Sequence, residues 1–110
     1  MRRYSKNDVV LVRYPFSDLS SSKVRPAIVV NGRHPSPDLL IVPLTSRTES
    51  LFPGEFQLIG WSKAGLNVPT AVKRGIYTIE DSLVIKRIGK LTPADAQQVA
   101  QSVRDWLELH

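Results

Sequence analysis

The chain has 110 residues, enough for one domain with a modest core and too few for a second interior, so 1–110 is expected to fold as a single unit. It contains no cysteine, which excludes disulfides, thiolate nucleophiles and cysteine-based zinc sites, and its apolar runs fall well short of the ~20 residues that cross a bilayer. Fifteen Lys and Arg against ten Asp and Glu give a formal charge of +5, which favours a polyanionic partner; a solvated basic face is the plain alternative.

Met1-Arg2-Arg3 is charged and leads into Tyr4-Ser5-Lys6-Asn7-Asp8 with no apolar signal segment, so a soluble, cytoplasmic protein is expected. Apolar runs at 8–14, 26–31, 39–45, 55–59, 69–73 and 83–88 are rich in Val, Ile, Leu or Phe and bounded by Gly, Pro, Ser or Asn, as strands are. Five or six strands so closely spaced argue for antiparallel pairing in a small β-barrel or strongly curled sheet. Pro43 cannot donate to a ladder, which places the third strand at an edge or bulges it there. Between Gly60 and Gly65 there is room for a turn or two of helix. Thr92 as N-cap, Pro93 at the first helical position and Asp95 three residues after the cap open a C-terminal helix. Its apolar stripe is Ala96, Val99, Ala100, Val103, Trp106 and Leu107. Residues 1–90 hold fourteen of the basic residues and seven acidic ones, whereas 91–110 hold Arg104 against Asp95, Asp105 and Glu108, so the positive field belongs to the β-rich body.

Few residues offer chemistry. His34 sits in a Gly-Arg-His-Pro turn and His110 is the last residue, so neither a histidine pair nor a metal cluster is expected, and no glycine-rich phosphate loop is present. Arginine and hydroxyls remain. Arg25 precedes Pro26, which biases it toward extended backbone at a defined position. A guanidinium there is a fixed charge with a planar fork of donors suited to phosphate, or else half of a structural ion pair with Asp18 or Asp38. Thr45 and Ser46 end the third strand, where their hydroxyls either contact a phosphate or sugar or cap a turn. Tyr14, Phe16 and Trp61 are either stacking platforms for unpaired bases or core residues.

The succession of the 9–16 strand, the polar loop Ser17–Lys23, the strand opening Arg25-Pro26-Ala27 and, about twenty residues on, Pro43-Leu44-Thr45-Ser46 resembles the MazF/PemK family of toxin endoribonucleases. The resemblance continues through Glu80–Ile85 and the closing helix. It implies an SH3-like β-barrel with a C-terminal helix, acting as a homodimer whose basic groove takes single-stranded RNA, with a cognate antitoxin as second partner. It also implies that Arg25 and Thr45 are catalytic, with Ser46 in support, and that no cofactor or metal is needed. In this family the ribose 2′-hydroxyl attacks the adjacent phosphorus and leaves a 2′,3′-cyclic phosphate and a 5′-hydroxyl. Phe16, Ser20, Lys23 and Arg47 would border the RNA. Some members add an Arg and an Asp on the penultimate strand; here Thr70–Ile76 is basic, so Lys73 or Arg74 would replace that arginine while the acid is missing. The gyrase-poisoning CcdB toxins share the fold without cutting RNA, which leaves a protein-binding toxin, or a member that binds RNA or antitoxin without cleaving, as the alternatives.

Overall fold

Strand β1 (Asp8–Tyr14) buries Val9 toward one face of the sheet and Val10 and Val12 toward the other, so it is covered on both sides. The computed structural model describes residues 3–14, 23–32 and 36–109. Six further strands follow: β2 (Lys23–Val29), β3 (Leu39–Thr45), β4 (Phe56–Gln57), β5 (Ala71–Val72), β6 (Tyr77–Ile79) and β7 (Val84–Lys90). A 3-10 turn (Asp81–Leu83) precedes β7, and helix α1 (Pro93–Leu107) closes the chain. The strands lie in the order β4-β5-β3-β2-β1-β7 with β6 also on β3, and every pairing is antiparallel. Two register shifts between β1 and β7 add twist, and the described residues fit within 33 × 29 × 27 Å, as a strongly curled sheet does.

This is the mainly antiparallel β architecture with a C-terminal helix that the sequence implies, with four differences of detail. β2 starts at Lys23, so Arg25 lies within the strand, opposite Val12, and not ahead of it. β4 and β5 shrink to two residues each, although the Leu58 N–H still donates to the Thr70 carbonyl at 2.9 Å. β6 is additional: three residues are too few to show a period in the sequence. Finally, β3 is central and not an edge strand. Pro43 is accommodated where β3 changes neighbour, since Leu39, Leu40 and Ile41 pair with β6 whereas Leu44 and Thr45 pair with β5.

Two apolar layers hold the sheet. Val9, Ile28, Val42, Leu44, Leu58 and Val72 pack with Val99 of α1, backed by Ala96, Val103 and Trp106. On the opposite face Val10, Val12, Ala27, Val29, Leu39, Ile41, Ile79 and Val84 pack without the helix. Thr92 caps α1 by accepting from the Asp95 N–H at 3.4 Å, an arrangement worth ~1 kcal/mol. The Asp95 carboxylate is itself buried and accepts from the N–H groups of Ile59 (3.0 Å) and Gly60 (2.8 Å), which ties the preceding loop to the helix start. Leu107, expected on the buried stripe, is 52% exposed, in the last turn of the helix. The 61–66 segment does make a short helical turn, with Ala64 N–H donating to the Gly60 carbonyl at 3.0 Å. It lies so close to β7 that a side chain at Gly89 would collide with the Ala64 carbonyl.

Candidate nucleic-acid interface

The site arises from a fork between β2 and β3. Their ladder pairs Val29 with Ile41, Ile28 with Val42 and Ala27 with Pro43, and there it stops. The Pro43 carbonyl accepts from the Lys73 N–H at 3.0 Å, on the edge of β3 away from β2, and beyond this point β3 pairs with β5 on that edge while β2 keeps only β1. Continuing the register by two residues sets Arg25 opposite Thr45 across the opening. Alternation puts Arg25 on the face of Ala27 and Val29, and Thr45 on the face of Leu39 and Ile41. All four of those apolar residues belong to the layer that α1 does not cover, so the guanidinium and the hydroxyl issue from the same face.

An open groove of about 1310 Å³ follows the fork. Arg25, Thr45, Ser46, Arg47 and Lys73 all line it, as do Tyr77, Asn67, Lys86 and Arg87. Among the described residues its walls therefore carry five cations and no carboxylate. Arg25 is exposed and makes no ion pair among the described residues, its one hydrogen bond being a 3.4 Å donation to the Val24 carbonyl. The pairing with Asp38 that the sequence left open is thus not formed; Asp18 lies outside the described residues. Thr45 does cap a turn, its Oγ1 accepting from the Arg47 N–H at 3.1 Å. That bond fixes the hydroxyl and leaves its own proton to donate.

Other candidates divide. Phe16 and Ser20, like the Lys23 and Tyr14 side chains, lie outside the described residues, as do His34 and His110. Trp61 packs half-buried against the helix-side core, and the exposed aromatic of the groove is Tyr77, at 42% exposure. Arg74 is exposed but lies outside the groove lining. Its backbone N–H donates to Glu55 Oε2 at 2.8 Å, while Glu55 Oε1 accepts from the Phe52 N–H at 2.8 Å. Burial pushes the Glu55 carboxyl up, but these two amides and the charges of Lys73 and Arg74 outweigh it and hold the group below its ordinary value. A carboxylate does therefore approach the basic 70–76 stretch, from a distant part of the chain. It stays outside the groove and clamps the loop.

The sheet is forked so that an arginine and a hydroxyl line one basic groove, and sequence comparison gives the class. Residues 5–107 match the family model of PemK-like, MazF-like toxins of type II toxin-antitoxin systems, and the chain belongs to that family. No curated protein sequence matches it significantly. Among solved structures it is similar to a mycobacterial endoribonuclease in complex with its cognate antitoxin (16% identity, TM-score 0.77, 97% of each chain covered). It is also similar to the Mycobacterium tuberculosis toxin MazF-mt6 (18% identity, TM-score 0.74, 94% of this chain and 98% of that one). A third similar structure is MazF in a MazE-MazF complex from Deinococcus radiodurans (13% identity, TM-score 0.78, 97% and 98%). At these identities the likeness is one of fold.

Proposed function

We propose that this chain is a toxin that cleaves single-stranded RNA without a metal, with Arg25 and Thr45 acting on one phosphodiester linkage. The observation that carries this reading is the position of both residues on one face of the β2–β3 fork, within a groove lined by cations. RNA holds its own nucleophile in the 2′-hydroxyl. Its oxygen bonds to phosphorus, the P–O5′ bond breaks, and the leaving oxygen ends protonated, giving a 2′,3′-cyclic phosphate and a 5′-hydroxyl. Arg25 neutralises the charge that builds on the non-bridging oxygens, a contribution of about 3 to 4 kcal/mol for one well-placed donor. The Thr45 hydroxyl donates to the same phosphate or orients the ribose toward in-line attack. Ser46, Arg47 and Lys73 extend the contact surface, and the family resemblance adds Phe16, Ser20, Lys23 and Arg74 as RNA contacts. The 2′-proton passes to water or to a carboxylate such as Asp18, which lies outside the described residues.

The family supports two partners. A cognate antitoxin would lay an acidic segment along the same cations and so compete with RNA, and a second copy of the chain would complete the groove as a homodimer. Incubation with a long single-stranded RNA in excess EDTA, followed by mapping of new 5′ ends, tests the activity. Discrete 5′-hydroxyl ends that vanish with Arg25→Ala are expected. The lack of an acid among the groove's described residues favours one rival, a member that binds RNA without cutting it, and intact but gel-shifted RNA would establish that rival instead.

A further inference from the structure

Lys86 and Arg87 of β7 line the same groove as Arg25, yet the chemistry above does not use them. Pro26, Leu11 and Lys86 are register neighbours on three successive strands, β2, β1 and β7, and all three line the groove. At roughly 4.8 Å per strand, Lys86 stands about 10 Å across the sheet from the residue beside Arg25; Lys86, opposite Leu11, and Arg87, opposite Val10, leave β7 on alternate faces, and both reach the groove lining. That distance suits a phosphate further along the same RNA strand, not the scissile one.

Arg87 is held in place from below. Asp8 of β1 is 1% exposed, and its Oδ2 accepts from the Ser5 N–H at 2.8 Å. Its Oδ1 has no hydrogen-bond partner and is faced by Arg87 Nη1 at 3.8 Å and Lys90 Nζ at 3.9 Å. A buried carboxylate depends on such counter-charges, which restrains both cations. The Arg87 side chain is nonetheless 59% exposed and retains donors for another anion.

We infer that Lys86 and Arg87 form a second phosphate-binding contact on β7, away from the cleaved linkage, with Asp8 as the positioning residue for Arg87. This rests on the RNA-cleaving reading and adds a path for the strand, from the fork across β1 to β7. Phosphate contacts fix register without reading bases, so the contact contributes affinity and not sequence preference. Lys90 offers an internal control: it shares Asp8 and the same strand, but it does not line the groove.

The test is the salt dependence of binding to a labelled single-stranded RNA of mixed sequence carrying 2′-O-methyl groups, which cannot attack its own phosphates. Each phosphate contact contributes about 0.7 to the slope of log affinity against log salt for single strands. Arg87→Ala and Lys86→Ala are each expected to lower the slope by about 0.7, and Lys90→Ala to leave it unchanged. Asp8→Asn keeps an acceptor for Ser5 and removes a negative charge, which on net charge alone would strengthen binding. Positioning predicts that it weakens binding, and that it has no effect once Arg87 is already Ala. Equal slope changes for Lys86→Ala, Arg87→Ala and Lys90→Ala would reduce the contact to net charge and overturn the inference. Slopes equal to wild type for Lys86→Ala and Arg87→Ala, in a protein that still cleaves RNA through Arg25, would overturn the β7 contact alone. A wild-type protein that neither binds nor cleaves RNA would overturn the functional reading with it.

Discussion

The two ends of β3 behave differently, and the difference explains the site. At Leu39–Ile41 the strand is paired to β6, and from Ile41 to Pro43 to β2, so the first end is closed and Leu39 and Ile41 are sealed into the core. At Leu44–Thr45 the strand pairs with β5 on one edge and no longer with β2 on the other, and the gap becomes the groove. One seven-residue strand therefore contributes core at one end and chemistry at the other. At the changeover stands Pro43, whose missing N–H falls on the edge where β6 gives way to β5. Stability and activity should consequently separate along this strand.

The largest effect on stability is expected at the closed end. Ile41 is fully buried between β2 and β6, and Ile41→Ala should cost about 2 to 5 kcal/mol in denaturant unfolding. Thr45→Val at the open end should cost under about 1.5 kcal/mol, because it gives up one partly exposed hydrogen bond, while sharply lowering cleavage. If both variants unfold alike, the two ends are not distinct.

Behind the open end, Gly89→Ala should destabilise by about 1 to 3 kcal/mol, since the new methyl meets backbone that cannot rotate away. The loss should show as a lowered melting temperature. Within the groove, Tyr77→Ala should weaken RNA binding by about 1 to 3 kcal/mol if the ring stacks on a base, and Tyr77→Phe should retain most of that affinity in a direct titration.

The smallest effect concerns the Glu55 clamp on the loop that carries Lys73. Its folded carboxyl titrates below the ordinary value, so its contribution is complete above the unfolded value of 4.5 and is lost as pH falls through the lower folded one. Hydrogen exchange at the Arg74 and Phe52 amides should accelerate in that window, beyond the intrinsic pH trend of exposed amides. Unchanged protection there would show that the carboxylate is not what orders the loop.

What was legible in the chain follows the same division. β1, β3 and α1 are long and periodic, so alternation and capping residues mark them, and Arg25-Pro26 within β2 and Pro43-Leu44-Thr45 at the end of β3 stand out against regular strands. β6 escapes because Tyr77–Ile79 is too short for any period, and with it escapes the aromatic of the groove. Trp61 stays open between stacking platform and core residue in the sequence, and the 61–66 turn decides it by folding the ring onto the helix-side layer. Lys86 and Arg87 look like ordinary solvated charges on a last strand, and only the pairing of β7 with β1 brings them to the groove. The Glu55 clamp joins residues 19 apart through loop backbone, which no local pattern encodes.

The central claim is that Arg25 and Thr45 act on one linkage across the fork, and a double-mutant cycle tests it most directly. Single-turnover cleavage of one RNA by wild type, Arg25→Ala, Thr45→Val and the double variant would be compared. The account predicts that each single change costs most of the rate and that the double variant is little slower than Arg25→Ala. Fully multiplicative losses, or a Thr45→Val protein that cleaves like wild type, would contradict it.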